Sequence, residues 1–548
     1  MARRAHVYPQ AQPRAVDLVD GAVVPAPRGI TASDALRLVR HRNAAAVACG
    51  DAHVLREDLA RAVALDLGDL DAVDLARPLP VAPVGASEVG VRRLLADGAP
   101  AVVVGERRKP AGLVARAPAP RSLSMAARLP RVVDAEALRA LEAAGRLAAA
   151  HGARAWAVGG LPRDAWLGRR ADGRDLDVVV EGDALTVARA LAGETGGSLV
   201  EHTRFLTASV AAPGFGRIDV VTARSERYET PGALPRVMPA TIAQDLRRRD
   251  FTVNAMAVEL GSATFGLLDP LGGAVDIARR RLRVLHPLSF VEDPTRIFRA
   301  ARYAARLDFV PGRWTARCQA LALRLAPYPA LSGQRLAAEL ALIAADTHPD
   351  VALARLGHAG AFRLLDPRFR FTAATAARLA ALPEALAWSV AARVRVAPEE
   401  ITTLAVVGEQ PRAVAEACLR RLAIAGEPLS RALAALEEAP ALVARLAAAG
   451  RPSETAAVLR GRSALTLAWL HVAGGAAARE RVDASLARHG AAEPALRGED
   501  VIGLGVARGP AVARALAALR DRRLDGEISD RAAEIDYVRE WIAREREG

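Results

Sequence analysis

The sequence predicts an α+β protein of several domains, and three observations support this prediction. The chain has 548 residues, which is too long for one hydrophobic core at about 150 residues per domain. Its centre, residues 121–285, alternates β-branched runs with helical segments. From Trp314 onward the pattern is almost entirely helical, and abundant alanine with only 4% aromatic residues favours helices that pack through small side chains.

The composition indicates a polyanionic partner. The formal net charge is +13, and arginine carries almost all of the positive charge. Guanidinium groups bind phosphates through paired hydrogen bonds, so this excess suits a nucleic acid. A high-GC codon bias would explain the choice of arginine over lysine, but it does not explain the positive balance.

Several classes of protein are excluded by what the sequence lacks. No apolar run of about 18 residues or more occurs, so no membrane span is expected. Met1–Arg4 is not followed by an apolar segment, so no signal peptide is expected and the protein should be cytoplasmic. Cys49, Cys318 and Cys418 lie far apart, which argues against a disulfide framework and a zinc site.

The N-terminal region shows two weak repeats after a loosely ordered lead-in at residues 1–28. Each repeat combines helices with short strands over about 50–60 residues, and two such units form one pair. Thr31–Arg40 is predicted as a capped amphipathic helix. The other predicted elements are Ala44–Ala48 and Val54–Ala64 in the first repeat and Val84–Ala96, Pro100–Val104 and Pro110–Val114 in the second. The pair therefore occupies residues 29–120.

The stretch Trp156–Val180 carries the strongest functional signal. An apolar run stops at Gly159 and Gly160, a helix-opening segment follows, and a β-branched run then begins with Asp175 and Asp177. Residues two apart on a strand point to the same face, so these carboxylates present their oxygens side by side. Mg²⁺ prefers such oxygen ligands. We therefore predict that Asp175 and Asp177 are metal ligands.

The glycines before this strand predict a phosphate site. Gly159 and Gly160 leave backbone N–H groups bare at a helix N-terminus, where the helix dipole favours an anion, and Arg163 adds a forked donor. Alone, a pair of glycines is usually only a turn, and two spaced aspartates usually mark a solvated strand end. In the order strand, turn, helix and strand, they favour a triphosphate beside a metal ion.

A third acidic residue, Asp219, lies among apolar residues in the predicted strand Phe215–Val221. A buried charge needs a partner. Two partners remain open at this point, the metal site and an arginine. Leu199–Val210 is predicted as an antiparallel neighbour of this strand, and Glu226–Val237, with three turn formers, as an exposed and mobile loop.

Two further segments bring arginines to the candidate site. Asp245–Met256 contains three consecutive arginines followed by an aspartate, and Ser289–Glu292 is predicted as a capping box that starts a long helix. Charged residues on that helix stand three positions apart, so neighbours should touch. These residues are Asp293, Arg296, Arg299 and Arg302. A plain row of salt bridges is the alternative interpretation.

The segment Val158–Gly168, with Asp175–Asp177 and Glu181–Ala184, resembles the first motif of the class II tRNA nucleotidyltransferase and bacterial poly(A) polymerase family. The later blocks follow in the family's order: Asp245–Met256, Leu267–Asp276, Glu292–Arg302 and Ser332–Leu340. The resemblance covers roughly residues 135–370 well and the tail more loosely. It implies a polymerase-β-like head at 121–285, neck helices at 286–370, and a helical body and tail at 371–548 that bind tRNA.

The resemblance also implies template-independent addition of nucleotides to the 3′ end of tRNA, with ATP as substrate and CTP as a further candidate. It assigns Mg²⁺ to Asp175, Asp177 and Asp219. The implied nucleotide-binding residues are Gly159, Gly160, Arg163, Arg249, Asp293, Arg296, Arg299 and Arg302, of which Asp293 and Arg296 read the base. The implied supporting residues are Asp164, Asp250, Asn254 and Glu292.

Residues 29–120 resemble tandem CBS modules. This resemblance implies an adenosyl ligand in the cleft between the repeats, with Asp58 as the ribose-binding residue. The sequence departs from the pattern at Leu55, where a hydroxyl residue is expected, and at Pro118, where the second repeat should carry its aspartate. A purely structural module, or one that forms a homodimer, is the alternative.

The CBS-like pair, the segment Tyr228–Pro235 and the segment His286–Thr295 resemble the A-adding branch of the family. Full CCA addition is the second candidate and poly(A) tailing the third. A hypothesis from another class is a degenerate head in an RNA-binding protein or a CBS-based nucleotide sensor. It is disfavoured because every expected catalytic side chain is present.

Overall fold

The chain forms two compact units, residues 1–332 and 333–548. The computed structural model describes residues 13–106, 109–115, 123–170, 176–203, 206–488 and 493–547. Among these residues the first unit contains helices and strands, and the second contains helices. The predicted α+β class is confirmed.

The first unit begins with two copies of one arrangement, which follow a short 3-10 turn at Ala15–Leu18. The elements of the first copy are β1 (Ala22–Pro25), α1 (Ala32–His41), β2 (Ala44–Cys49), β3 (Ala52–Leu55), α2 (Arg56–Ala64) and α3 (Ala72–Leu75). Those of the second copy are β4 (Val81–Ala82), α4 (Glu88–Ala96), β5 (Ala101–Glu106) and β6 (Lys109–Ala115).

Both copies have the same sheet topology. The first strand pairs in parallel with the strand after the helix, and that strand forms an antiparallel hairpin with the third, which gives two three-stranded sheets. Thr31 caps α1 by accepting a hydrogen bond from the Asp34 N–H, as the sequence predicts. The predicted internal repeat is therefore confirmed.

The head is built around an eight-stranded mixed sheet. Its strands and helices are β7 (Leu123–Ser124), α5 (Ala135–Ala150), β8 (Arg154–Val158), α6 (Gly160–Leu167), β9 (Leu176–Glu181), α7 (Ala184–Thr195), β10 (Ser198–His202), β11 (Thr207–Ala212), β12 (Gly216–Thr222), β13 (Arg224–Arg227), β14 (Arg236–Pro239), α8 (Ile242–Arg247), β15 (Ala257–Glu259), β16 (Gly266–Leu268) and α9 (Gly273–Ala278). The strand order is β10-β11-β12-β9-β8-β15-β16-β7, and only β9 and β12 pair in parallel.

The first unit ends with β17 (Arg281–Leu282), α10 (Ser289–Glu292), α11 (Thr295–Leu307), β18 (Val310–Pro311) and α12 (Arg313–Arg324). The predicted continuous helix through Arg302 is wrong, because it is divided between α10 and α11. Asp293 is extended and ends α10, and Pro294 precedes α11. Proline disfavours the helical conformation of the residue before it and has no N–H to donate.

Two other local predictions need correction. Leu199–Val210 is not one strand but the hairpin of β10 and β11. Glu226–Val237 is not wholly an exposed loop, since β13 and β14 form an antiparallel ladder at its two ends and Tyr228 is buried. The two ends of this segment carry charged residues that bond to neighbouring elements. The sequence therefore lacks the alternation of apolar and polar residues that predicts a strand, although β13 and β14 pair regularly.

The described part of the second unit consists of α-helices and a 3-10 helix. The α-helices are α13 (Gly333–Ala344), α14 (Pro349–His358), α15 (Ala373–Ala380), α16 (Leu382–Ala391), α17 (Pro398–Val407), α18 (Arg412–Arg421), α19 (Gly426–Ala448), α20 (Pro452–Leu459), α21 (Ala464–Ala473), α22 (Gly475–Arg488), α23 (Gly498–Gly503), α24 (Pro510–Leu524) and α25 (Arg531–Glu547). The 3-10 helix, Ala361–Leu364, lies between α14 and α15. Across the described residues of the whole chain, no helix combines the length and apolar character that a membrane span needs.

The packing of α5 onto the head sheet predicts a sharp difference between two helical glycines. A Cβ at Gly145 in α5 would lie 2.2 Å from the Leu260 carbonyl oxygen, whereas a Cβ at Gly193 in α7 meets nothing within 4 Å. We expect Gly145→Ala to lower the free energy of unfolding by about 1–3 kcal/mol through overpacking. Gly193→Ala should raise it by up to about 1 kcal/mol through helix propensity. Urea unfolding of both variants checks this, and equal effects would contradict the packing argument.

Candidate active site

Three neighbouring strands bring the predicted carboxylates and the glycine turn together. Val158, the last residue of β8, lies opposite Asp177 on β9, and Asp219 on β12 lies opposite the same Asp177 from the other side. Ser209 on β11 continues the row. Residues paired in this way project from the same face of the sheet. Asp177 is exposed there, and Asp175 lies outside the described residues.

Asp219 has the arginine partner that is one of the two interpretations the sequence leaves open. Its Oδ1 accepts a hydrogen bond from Arg217 Nε at 2.8 Å and another from the Ser209 hydroxyl. It also stands beside Asp177 in the strand register. Among the described residues, which do not include Asp175, no group of three or more His, Cys, Asp or Glu side chains is placed to hold a metal ion. The role of Asp219 as a metal ligand therefore stays a prediction.

Gly159 lies where the turn, the carboxylate and an arginine converge. Its φ of +70° favours glycine, and α6 begins at the next residue. A Cβ at this position would lie 3.0 Å from Asp177 Oδ2 and 3.6 Å from Arg249 Nη1. A bare backbone N–H at a helix start, a carboxylate and a guanidinium thus share one small region, as the sequence predicts.

Arg249 is held in this region by a buried carboxylate. Asp245 Oδ2 accepts hydrogen bonds from Arg249 Nε at 3.2 Å and Nη2 at 3.0 Å, while Arg248 binds Oδ1. Burial alone would raise the pKa of Asp245, but Arg249 and Arg248 together lower it below its ordinary value. The Asp245 carboxylate therefore stays ionised and leaves Arg249 Nη1 on the side of Gly159.

Arg163 occupies a deeper position than the sequence suggests. It is 2% exposed, and its Nε and Nη2 donate to the carboxylate of Asp164 at 2.9 and 3.0 Å. Its Nη1 donates to Asn254 Oδ1 at 2.6 Å. Arg163 thus connects the start of α6 with the 3-10 turn Thr252–Asn254.

Asp250 joins this turn to α11. It accepts from the Asn254 amide at 3.1 Å and from Arg299 Nε and Nη2 at 2.9 and 2.6 Å. Burial would raise the pKa of Asp250, but Arg299 and Asn254 lower it to about 2. Asp164, Asp245 and Asp250 thus each orient an arginine that the sequence places near the nucleotide.

The ring of Tyr303 on α11 lies near three arginines of the site, and the sequence does not predict this role for Tyr303. The guanidinium carbons of Arg163, Arg299 and Arg302 lie 5.6, 5.8 and 4.9 Å from the centroid of its ring. These distances fit cation–π contacts, which are favourable when the groups are partly desolvated. The only sequence signal for Tyr303 is its position one residue after Arg302.

The two residues expected to read the base lie at the break between α10 and α11. Asp293 Oδ1 accepts from the Thr295 N–H at 3.0 Å and from its hydroxyl at 2.6 Å. Arg296 is 5% exposed and donates to the Ser289 hydroxyl at 2.8 Å and to the Arg248 carbonyl at 2.9 Å. Its partners belong to other elements, so the row of charges is not a simple i,i+3 ladder.

Glu292 has partners that the sequence does not reveal. Its Oε1 accepts from Arg61 Nη1 at 2.7 Å, and its Oε2 lies 3.2 Å from His286 Nε2. It therefore does not cap a helix as the predicted capping box requires. Burial and then the charge of Arg61 lower the pKa of His286 to about 4. At neutral pH the imidazole is uncharged and donates Nε2–H to the carboxylate.

The sequence of this chain is similar to that of one protein family and its members. Residues 155–283 match the Poly A polymerase head domain family. An A-adding tRNA nucleotidyltransferase of Geobacter sulfurreducens is 43% identical over 213 residues, which are 39% of this chain and 24% of that protein. A CC-adding tRNA nucleotidyltransferase of Deinococcus radiodurans is 34% identical over 389 residues, which are 70% of this chain and 88% of that protein.

The chain belongs to the tRNA nucleotidyltransferase family. The family predicted from the motif at Val158–Gly168 is thus confirmed. A structure of the Thermotoga maritima CCA-adding enzyme complexed with tRNA matches with a TM-score of 0.63 and 26% identity, covering 76% of this chain and 98% of that one. The chain spans 24%, 52% and 21% of the lengths of three A-adding relatives.

The lowered pKa of His286 leads to a prediction of how the stability of this protein depends on pH. The unfolded chain binds a proton on the imidazole near pH 6.5 and the folded chain near pH 4. Between these values the unfolded state holds more protons, so stability falls as the pH falls through this window. From pH 7 to pH 5 the loss due to His286 should be about 2 kcal/mol.

Urea unfolding at both pH values checks this contribution. His286→Gln keeps a donor for Glu292 but cannot take up the proton, so its stability should change less between pH 7 and pH 5. His202→Gln, at an exposed position, is the matched control and should behave as the unmodified protein. An unchanged pH dependence in His286→Gln would contradict the assignment.

Proposed function

We propose that this protein adds nucleotides without a template to the 3′ end of tRNA, and that the nucleotide it adds is A. The observation that carries this proposal is the convergence of Gly159, Asp177 and Arg249. This convergence brings a backbone N–H group, a carboxylate that suits a metal ion and a guanidinium that suits a phosphate to the end of one strand. Family membership supports tRNA as the substrate.

The residues at the strand ends fit a hard divalent cation. Asp177 and Asp219 are in register on parallel strands, and carboxylate oxygens are the donors that Mg²⁺ prefers. We propose Asp175, Asp177 and Asp219 as its ligands. Mg²⁺ bound there would favour ionisation of the terminal 3′-hydroxyl and neutralise charge on the leaving pyrophosphate.

The triphosphate lies, in this proposal, against the start of α6. The N–H groups of Gly159 and Gly160 and the Nη1 of Arg249 face that region, and prior orientation of such donors supplies much of the catalysis in phosphoryl transfer. Arg163 donates to Asp164 and Asn254. These bonds use three of the five N–H groups of the guanidinium, so Arg163 holds α6 and Asn254 in place and its second Nη hydrogens are the ones that would meet a phosphate.

The base contacts Asp293 and Arg296. A carboxylate accepts from an exocyclic amino group, which adenine and cytosine both carry, and a guanidinium donates to ring nitrogens and carbonyl oxygens. Arg299 and Arg302 lie farther along α11 and would follow the nucleotide. Asp250 and Tyr303 hold these arginines in position.

The helical unit is proposed to hold the tRNA backbone. A cavity of about 700 Å³ in this unit is lined by Arg363, Arg368 and Arg370 and by the rings of His358 and Phe371, whose centroids are 4.9 Å apart. Arginines interleaved with aromatic rings suit single-stranded or looped RNA, because they combine phosphate contacts with stacking.

The N-terminal repeats are proposed to be a CBS-like pair that binds an adenosyl ligand or forms a homodimer. A cavity of about 520 Å³ between the repeats and the head is lined by Arg40, Arg56 and Arg77, which supports an anionic ligand. Asp58, the expected ribose contact, is 1% exposed and pairs with Arg77. Calorimetry with ATP, AMP and S-adenosylmethionine tests the ligand, and sedimentation tests the dimer.

Incubation with three tRNA transcripts, ending before CCA, after C and after CC, tests the proposed activity. Each receives ATP, CTP or both. We expect one A on the CC end and no use of CTP, because two A-adding relatives are 43% and 44% identical, against 34% and 41% for two CC-adding relatives. Addition of CC alone would match the Deinococcus relative, completion of all three ends would indicate a full CCA enzyme, and the absence of any product would refute the proposal.

Gly159 and Gly168 offer a matched pair of substitutions on either side of α6. Both have a φ near +70°, but a Cβ at Gly159 meets Asp177 and one at Gly168 meets nothing within 4 Å. Gly168 has a ψ of +24° and lies in the left-handed helical region, which alanine adopts at a cost of about 1–2 kcal/mol, whereas Gly159 has a ψ of −119° and is more strongly restricted to glycine. We expect Gly159→Ala to lower kcat/KM for nucleotide addition by about 100-fold or more, since sub-ångström displacement of reacting groups is costly.

Gly168→Ala should keep kcat/KM within a few-fold of the unmodified protein. The comparison controls for a β-carbon at a glycine of positive φ beside α6, so the difference between the variants reports the backbone conformation of Gly159 together with the crowding of Asp177 and Arg249. Equal losses in both variants would count against the convergence on which the proposed site rests.

A further inference from the structure

The N-terminal repeats contact the turn that carries the expected base-reading residue. Arg61 on α2 donates through Nη1 to Glu292 Oε1 at 2.7 Å, across 231 residues of sequence. Glu292 is the last residue of α10, and Asp293 follows it directly. Arg61, in the N-terminal repeats, therefore binds the residue that directly precedes Asp293, the predicted base contact.

Glu292 is held from three directions. Its second carboxylate oxygen accepts from His286 Nε2. On the backbone side, the Gly232 N–H, in the connection between β13 and β14, donates to the carbonyl oxygens of Val291 and Glu292, both at 3.2 Å. Since Glu292 is only 4% exposed, its carboxylate depends on these protein partners rather than on water.

Arg61 is a cation that donates directly to the Glu292 carboxylate. Burial alone would raise the pKa of Glu292, but His286 and Arg61 lower it well below its ordinary value. His286 is neutral at pH 7, so Arg61 is the cation that balances Glu292 through a direct hydrogen bond. Without Arg61, a buried carboxylate would keep one neutral donor, and moving toward solvent would relieve its desolvation.

A shift of Glu292 would reach Asp293 through the backbone. Asp293 is extended, Pro294 fixes the following φ, and Thr295 binds the Asp293 carboxylate. The turn therefore has few internal degrees of freedom and moves as one piece. We propose that Arg61 is a positioning residue that sets the location of Asp293 through Glu292, so that the N-terminal repeats take part in the choice of nucleotide. This inference rests on the proposed function of Asp293.

Other contacts between the N-terminal repeats and the rest of the first unit provide a control. Arg324 on α12 pairs with Asp74 on α3, and neither residue touches the Glu292 turn in the contacts described above. Loss of the Arg324 pair weakens attachment of the repeats without removing a partner of Glu292. A merely structural role of Arg61 predicts the same result for both arginines.

The test compares Arg61→Gln, Arg61→Lys and Arg324→Gln in the full-length protein. The readout is the ratio of kcat/KM for ATP to that for CTP on a tRNA ending in CC, with the slow residual reaction of CTP measured at enzyme excess and its detection limit used where no product forms. We expect Arg61→Gln to change this ratio about tenfold or more, because small displacements at a reacting site have large effects. Arg61→Lys should recover part of the change, and Arg324→Gln should stay within about twofold.

A double substitution shows whether Arg61 acts through Glu292. Arg61→Gln in a Glu292→Gln background should add little, since the effects of coupled residues are not additive. Additive effects would overturn the proposed route. So would an unchanged nucleotide ratio in Arg61→Gln, or an equal change in Arg324→Gln.

Hydrogen exchange separates failure of this inference from failure of the proposed function. Amide exchange of residues 288–294 should become faster in Arg61→Gln and stay unchanged in Arg324→Gln. If the unmodified protein transfers no nucleotide to any tRNA end, the proposed function fails. The amide exchange rates then show by themselves whether Arg61 positions the turn at Glu292. Unchanged exchange in Arg61→Gln would then overturn that positioning role.

Discussion

The register of β9 with its two neighbours is the constraint on which the candidate site depends. Antiparallel pairing sets Val158 opposite Asp177, so the Gly159 turn begins at that carboxylate. Parallel pairing sets Asp219 opposite the same residue. A slip of one residue would turn Asp177 to the other face of the sheet, because side chains alternate along a strand. The apolar residues that enforce the register, including Trp156 and Val179, pack with Leu246 in one core cluster.

Buried carboxylates then fix the arginines around this strand end. Asp245 holds Arg249, Asp250 holds Arg299, and Asp164 holds Arg163. Such pairs contribute little net stability, because desolvating both charges opposes their attraction. Their effect is geometric, since a guanidinium held by two hydrogen bonds has little rotational freedom left. The arrangement therefore fixes the orientation of the Arg249 and Arg163 guanidinium groups beside Gly159 and Gly160 before any anion arrives.

The local parts of this site could be predicted from sequence and the long-range parts could not. The Thr31 cap, the glycine turn before α6 and the Asp177 strand follow from patterns within a few residues. Pro294 is also a local signal of the break before α11, but the three-residue spacing of charges favours a continuous helix and conflicts with it. By contrast, Arg61 contacts Glu292 across 231 residues, and Tyr303 gathers arginines from α6 and α11. Neither contact leaves a periodic signal in the chain.

The network around Glu292 is balanced only in one charge state. Arg61 and Glu292 cancel, and neutral His286 adds no charge. A second proton on His286 would place an extra cation close to buried Arg296, which already lies in this cluster. The Nδ1 of His286 is buried and accepts no hydrogen bond among the described residues, so that proton would also gain no partner there. Burial and the arginines therefore keep the imidazole neutral, so the positive charge that reaches the Glu292 carboxylate by a direct hydrogen bond is that of Arg61. This charge pair couples the N-terminal repeats to the turn before α11.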